Sequence, residues 1–178
     1  KRGSTLGFRE LARRWKPHGR YDTMRVETRA GHARAAPPPR PLLELTIPRL
    51  VQGAAKRHGT LSALEDGEVH LDFQQLAEAG QQAARGFLAA GLAPGDRVGI
   101  WAPNIHEWVI AAIGLQNAGG VLVTLNTRMK GSETAYILRK SGARWLCTMG
   151  EFLGVDYTRE IVGEDLPKVL AVPNTWPS

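Results

Sequence analysis

Two polar side chains, Asn126 and Arg128, stand in the stretch LNTRMKGS, directly after the apolar run VLVTL. A guanidinium offers a planar fork of N–H donors that matches a phosphate or a carboxylate. An asparagine beside it either joins in binding or ties the turn to its own backbone. Two readings therefore stand together. Asn126 and Arg128 bind substrate, or Asn126 holds the turn while Arg128 makes a salt bridge between domains. Asn104, in WAPNIHEW, reads as the cap of the helix that follows it.

Other chemistries lack their residues. No Gly-x-Gly-x-x-Gly follows a strand, and no Gly-x4-Gly-Lys-Ser/Thr loop is present. RGSTLG, at Arg2–Gly7, follows no strand and sits in a basic tail. The five His are dispersed, with no His-x3-His or Cys-x2-Cys group, so no metal ligands are expected. A Gly-x-Ser-x-Gly elbow is absent. Glu65, Asp66 and Glu68 cluster at a turn, where solvated charges explain them better than paired acid and base. Cys147 is the only cysteine. It lies in the apolar run Trp145–Thr148 and reads as a buried strand residue, and its lack of a partner suits a reducing, cytoplasmic compartment.

The charge of the 178-residue chain is unevenly spread. Residues 1–44 carry 11 Lys/Arg against 4 Asp/Glu, a net of +7, whereas residues 45–178 carry 12 against 13, a net of −1. Low hydrophobicity with high charge predicts a disordered basic Arg/Pro-rich tail over 1–44. Read-through from an upstream start, an organellar presequence and a basic arm for acidic partners are its alternative origins. The longest strongly apolar stretch, Trp108–Leu115, has 8 residues. A membrane span needs about 20, so none is expected.

These side chains need elements to position them. Ile47, Leu50, Val51, Ala54, Ala55 and His58 share one helix face, with Thr46 before it and Gly59 after it. Asp66-Gly67 between two short apolar runs predicts a β-hairpin. Asp72 caps a long helix whose apolar face runs from Phe73 to Leu88, and Gly91 ends it. RVGIWA reads as a strand buried on both faces and VLVTL as a second buried strand, with RWLCT and KVLAV as the third and fourth strands. The helix after Asn104 separates the first two, and a helix capped by Ser132 and ended by Gly142 separates the next pair. Trp101, Trp108 and Trp145 are expected in packing roles, and His70 on an exposed strand. Strands alternating with crossovers of about a dozen residues predict an α/β fold. It is a partial, doubly wound parallel sheet with flanking helices and a small β-hairpin. Ligands of such sheets bind at the carboxyl ends of the strands, here Ala102–Asn104, Leu125–Arg128 and Thr148–Glu151.

In order along the chain, these pieces match a family. GDRVGIWAPNIHEWVIAAIGLQNAGGVLVTLNTRMKGSETAYILRKSGARWLCT, Gly95–Thr148, resembles the amino-terminal subdomain of the AMP-forming acyl-CoA synthetases. LTIPRLVQGAAKRHG and HLDFQQLAEAGQQAARGFLAAGLAPGDRV resemble the same family's opening elements, and EFLGVDY a segment of its fatty-acyl members. The resemblance covers about residues 46–172 and leaves 1–44 unmatched.

The resemblance implies ATP-dependent activation of a carboxylic acid as an acyl-adenylate, followed by thioester formation with coenzyme A, with Mg2+ accompanying the ATP. Asn126 and Arg128 match the family's Leu-Asn-x-Arg turn. The family's Thr/Ser/Gly-rich phosphate loop, Tyr-Gly-x-Thr-Glu motif, ribose-binding aspartate and catalytic lysine are not found in these 178 residues. The expectation is a ligase fragment inactive alone, with no catalytic residue and no cofactor bound on its own. Its expected partners are the remainder of the ligase and, through exposed sheet surface, other copies of itself. Specific nucleic-acid binding is not expected. The alternative is a non-catalytic docking module whose basic tail holds acidic partners.

Overall fold

The computed structural model describes residues 46–152, 154–161 and 168–171. The expected tail, 1–44, lies outside them. The elements run α1 (Ile47–His58), β1 (Ser62–Asp66), β2 (Val69–Asp72), α2 (Phe73–Ala89), β3 (Arg97–Trp101), α3 (His106–Asn117) and β4 (Val121–Thr124). They continue through α4 (Gly131–Ser141), β5 (Trp145–Thr148), β6 (Glu151–Phe152), β7 (Val155–Asp156) and β8 (Lys168–Ala171).

β4, β3, β5 and β8 lie side by side in one parallel sheet, in that order. Val98 pairs with Leu122 on one side and with Trp145 on the other, and Trp145 pairs in turn with Lys168. The period-2 alternation of strands sorts side chains between two cores. Val98, Ile100, Trp145 and Cys147 pack with Leu76, Ala83, Phe87, Ile110 and Leu115 of α2 and α3. Trp101 and Leu146 turn the other way, to Leu125, Leu138, Tyr157 and Ile161. The helices therefore cover both faces, and the sheet is doubly wound.

Small residues set how closely the layers approach. A Cβ on Gly99 would lie 2.5 Å from Leu138 Cδ2, so α4 sits directly on β3. A Cβ on Gly114 would collide with Ala83 Cβ and lie 3.0 Å from the Ala83 carbonyl carbon and the Ala84 nitrogen, so α2 and α3 touch at their backbones. Larger side chains there would push the helices apart, because interiors are close-packed.

Local signals decide where the elements stop. Asp72 accepts the Gln75 N–H at 2.7 Å while Gln75 Oε1 accepts the Asp72 N–H at 3.0 Å, a complete capping box at the start of α2. α4 ends at Gly142, whose φ of 66° an L side chain rarely adopts. There the N–H groups of Gly142 and Ala143 return to the carbonyls of Arg139 and Leu138.

Four expectations need correction. The hairpin pairs Asp66 with Val69, so its turn is Gly67-Glu68 and Asp66 is a strand residue. The cap position of α3 is Ile105, not Asn104, which is exposed. The cap position of α4 is Lys130, with Ser132 inside the helix; Glu133 reaches back to accept the Lys130 N–H at 2.9 Å. β4 is not buried like β3. It is one of the two end strands of the described sheet, with Val121 46% exposed, and among the described residues no strand pairs beyond it.

Candidate functional site at the carboxyl ends of the strands

The three expected loops leave the carboxyl ends of β3, β4 and β5, and all three border Trp101. Its indole Nε1–H donates to the Asn126 carbonyl at 3.0 Å, and its carbonyl accepts the Thr148 hydroxyl at 3.0 Å. The Tyr157 ring meets its ring edge-on, with centroids 4.9 Å apart and planes at 86°. Trp101 is fully buried. A buried indole N–H needs an acceptor, and the Asn126 carbonyl supplies it.

Asn126 and Arg128 are both exposed, in a turn closed twice. The Asn126 side-chain oxygen accepts the Arg128 N–H at 2.9 Å, and the Asn126 carbonyl accepts the Met129 N–H at 3.1 Å. This is the side-chain-to-backbone closure that asparagine brings to turns. Among the described residues the Arg128 guanidinium forms no ion pair. The arrangement presents one cation at the rim, on a backbone anchored to the neighbouring strand.

A second grouping was not expected. Asp66 Oδ2 accepts the His106 backbone N–H at 2.8 Å and lies 2.8 Å from His106 Nδ1. Glu107 Oε2 approaches the same Nδ1 at 3.2 Å. These bonds hold the Asp66 carboxyl below the usual aspartate range, through the His106 side chain first and its backbone N–H second. Asp66 is thus not a solvated turn charge but the carboxylate that closes the amino terminus of α3. Asp66, His106 and Glu107 have the donor set for a divalent cation, with ligand atoms within 4.8 Å of one another. Yet the helix N–H and the imidazole already engage the Asp66 oxygen, and a helix amino terminus repels a cation. The cluster works as a clasp between hairpin and helix. Sequence spacing could not reveal it, because 40 residues separate its halves.

A cleft of about 850 Å³ lies beside the clasp, with Glu68, His70, Glu78, Arg85 and His106 in its lining. Neither Asn126 nor Arg128 lines it. His70 is exposed on β2, as expected. Cys147 is fully buried in β5, and burial pushes its thiol up to about 12, so it is no nucleophile. No described helix is long and apolar enough to cross a membrane.

A doubly wound parallel sheet with its loops gathered at the carboxyl ends defines an α/β protein of the class whose ligand crevice lies at those ends. Residues 51–175 match the family model of the AMP-binding enzymes, and the chain belongs to that family. It is 38% identical over 132 residues to a 3-[(3aS,4S,7aS)-7a-methyl-1,5-dioxo-octahydro-1H-inden-4-yl]propanoyl:CoA ligase of Rhodococcus jostii (strain RHA1), a match covering 72% of this chain and 26% of that protein. The mitochondrial medium-chain acyl-CoA ligase ACSF2 of Macaca fascicularis is 36% identical over 118 residues, covering 65% of this chain and 19% of that protein. The N-terminal subdomain of NpsA from Klebsiella oxytoca superposes with a TM-score of 0.63 at 23% identity, covering 71% of this chain and 30% of that one. The chain matches about a quarter or less of the length of these curated relatives, and corresponds to the amino-terminal portion of an AMP-forming acyl-CoA synthetase.

Proposed function

We propose that residues 45–178 form one wall of the crevice in which an acyl-CoA synthetase activates a carboxylic acid with ATP, and that residues 1–44 are a separate basic tail. The observation that carries this reading is the family match over residues 51–175, laid on a sheet whose three carboxyl-end loops converge. Arg128 stands at that rim as a contact for a phosphate or carboxylate, with Asn126 shaping its turn. Two of the relatives are named as a 7a-methyl-1,5-dioxo-octahydro-indenyl-propanoyl:CoA ligase and a medium-chain acyl-CoA ligase, which favours an acid with a sizeable hydrocarbon part as substrate here.

These 178 residues offer no glycine-rich cradle for a triphosphate and no lysine assignable to catalysis. Loss of one preorganised donor costs an enzyme about 100- to 1,000-fold in rate. The chain alone therefore does not complete adenylation, and ATP, Mg2+ and coenzyme A are handled only with the rest of a ligase. ATP–pyrophosphate exchange with the purified chain and a panel of carboxylic acids tests this. No acid-dependent exchange is expected, and acid-dependent exchange overturns the proposal.

A further inference from the structure

Trp101 ends β3, the strand between β4 and β5, and touches what both neighbours lead into. Its indole reaches the Asn126 carbonyl, its own carbonyl takes the Thr148 hydroxyl, and its ring holds Tyr157 edge-on. The Tyr157 N–H in turn donates to the Gly150 carbonyl at 3.1 Å, which ties that loop back to β5. The Asn126 carbonyl accepts twice, from Trp101 and from Met129. The turn bearing Arg128 is thus closed on itself by asparagine and fastened to the sheet by tryptophan. A phenylalanine would keep an aromatic ring against Tyr157, though a smaller one, and would leave the turn without that fastening.

We infer that Trp101 is a positioning residue: it fixes the Arg128 turn to the end of β3 and couples it to the loop that carries Tyr157, so that the rim behaves as one unit. The inference rests on the proposed function only for what Arg128 contacts; the coupling itself is a property of the chain. Any ligand gripped at Arg128 would meet a side chain carried on a backbone already held in place, so less backbone ordering is lost on binding.

Amide hydrogen exchange on the full 178-residue chain tests the coupling without any ligand. Trp101→Phe is expected to speed exchange of the Arg128 and Met129 amides about tenfold, the worth of one hydrogen bond. Amides of α2 and α3 stay slow. An equal acceleration across α2, α3 and β5, or none at residues 128–129, overturns the inference. Tyr157→Leu leaves the indole donor in place and covers the case in which Trp101→Phe does not fold. It is expected to speed exchange of the amide at position 157 and, more weakly, at Arg128; acceleration confined to the loop around position 157 overturns the coupling. Inorganic pyrophosphate titrated into the parent chain and Arg128→Ala tests the binding reading separately. Failure there with the exchange pattern intact removes the anion contact and leaves the positioning role of Trp101 standing.

Discussion

Asp66 closes the amino terminus of α3 by accepting the backbone N–H of His106 and pairing with its Nδ1, each at 2.8 Å, across 40 residues of sequence. The free N–H groups that begin a helix need acceptors, and a carboxylate also complements the helix dipole. One side chain thereby caps a helix and pins the hairpin to it.

Asp66→Asn keeps the shape of that side chain and removes its charge, and is expected to lower the melting temperature by a few degrees near neutral pH. The pH dependence has a definite sign. The Asp66 carboxyl is held lower in the folded chain than its ordinary value of 3.8. Its contribution is therefore complete above the unfolded value and disappears as pH falls through the lower folded value. The gap in melting temperature between parent and variant should close below pH ~4. A gap that widens on acidification would refute the assignment. Thermal melts across pH 3–7 make the measurement.

The contact between α2 and α3 is set by Gly114, where a Cβ would meet the Ala83 side chain and the backbone of residues 83–84. Gly114→Ala is expected to cost about 1–3 kcal/mol, the usual cost of overpacking a close-packed interior. Gly150→Ala is a clash-free control outside the helices, because a Cβ there meets nothing within 4 Å. Chemical denaturation of both variants checks the contrast, and equal stabilities would refute the close approach.

The fold was legible wherever a signal was local. Asp72 with Gln75, and Gly142 after the last helical turn, mark boundaries through bonds within four residues, and both stand where the sequence places them. The strands of Val98–Trp101 and Trp145–Thr148 are apolar on both faces, and both are buried. Misreadings arose where a distant partner decides. Asn104 has a capping side chain, but Asp66 takes that role from another element. VLVTL is apolar enough for a central strand, yet composition reports on a strand's two faces and not on its lateral neighbours. The turn at Asn126 was legible as a turn; its fastening to Trp101, 25 residues away, was not.

Cys147 reports on the centre of the sheet. Its strand lies between β3 and β8, its side chain is fully buried, and its thiol is pushed up to about 12. The reactive form is the thiolate. Labelling with a disulfide reagent at pH ~8 should therefore be about a thousandfold slower in the folded chain than in denaturant, following the folding equilibrium. Rapid labelling without denaturant would mean that β5 opens locally.

Among the described residues no strand pairs with the outer edge of β4. The Val121 N–H donates to Asp96 and the Leu125 N–H to Ile100, so strand alternation points the N–H and C=O groups of Leu122 and Thr124 outward. From Ala118 to Thr127 the sequence has no charged residue and no proline, the two devices that commonly keep an edge from pairing. We propose that isolated chains associate there. Val121 is 46% exposed, so a lysine at that position places its ammonium in water without entering the core. Val121→Lys should weaken concentration-dependent association by about tenfold or more while leaving the melting temperature nearly unchanged. Sedimentation velocity over a range of concentrations reads the first quantity and thermal melts the second. If association persists undiminished with β4 charged, it is driven by another surface, and the half-exposed Ile47 and Leu50 of α1 are the next to be substituted.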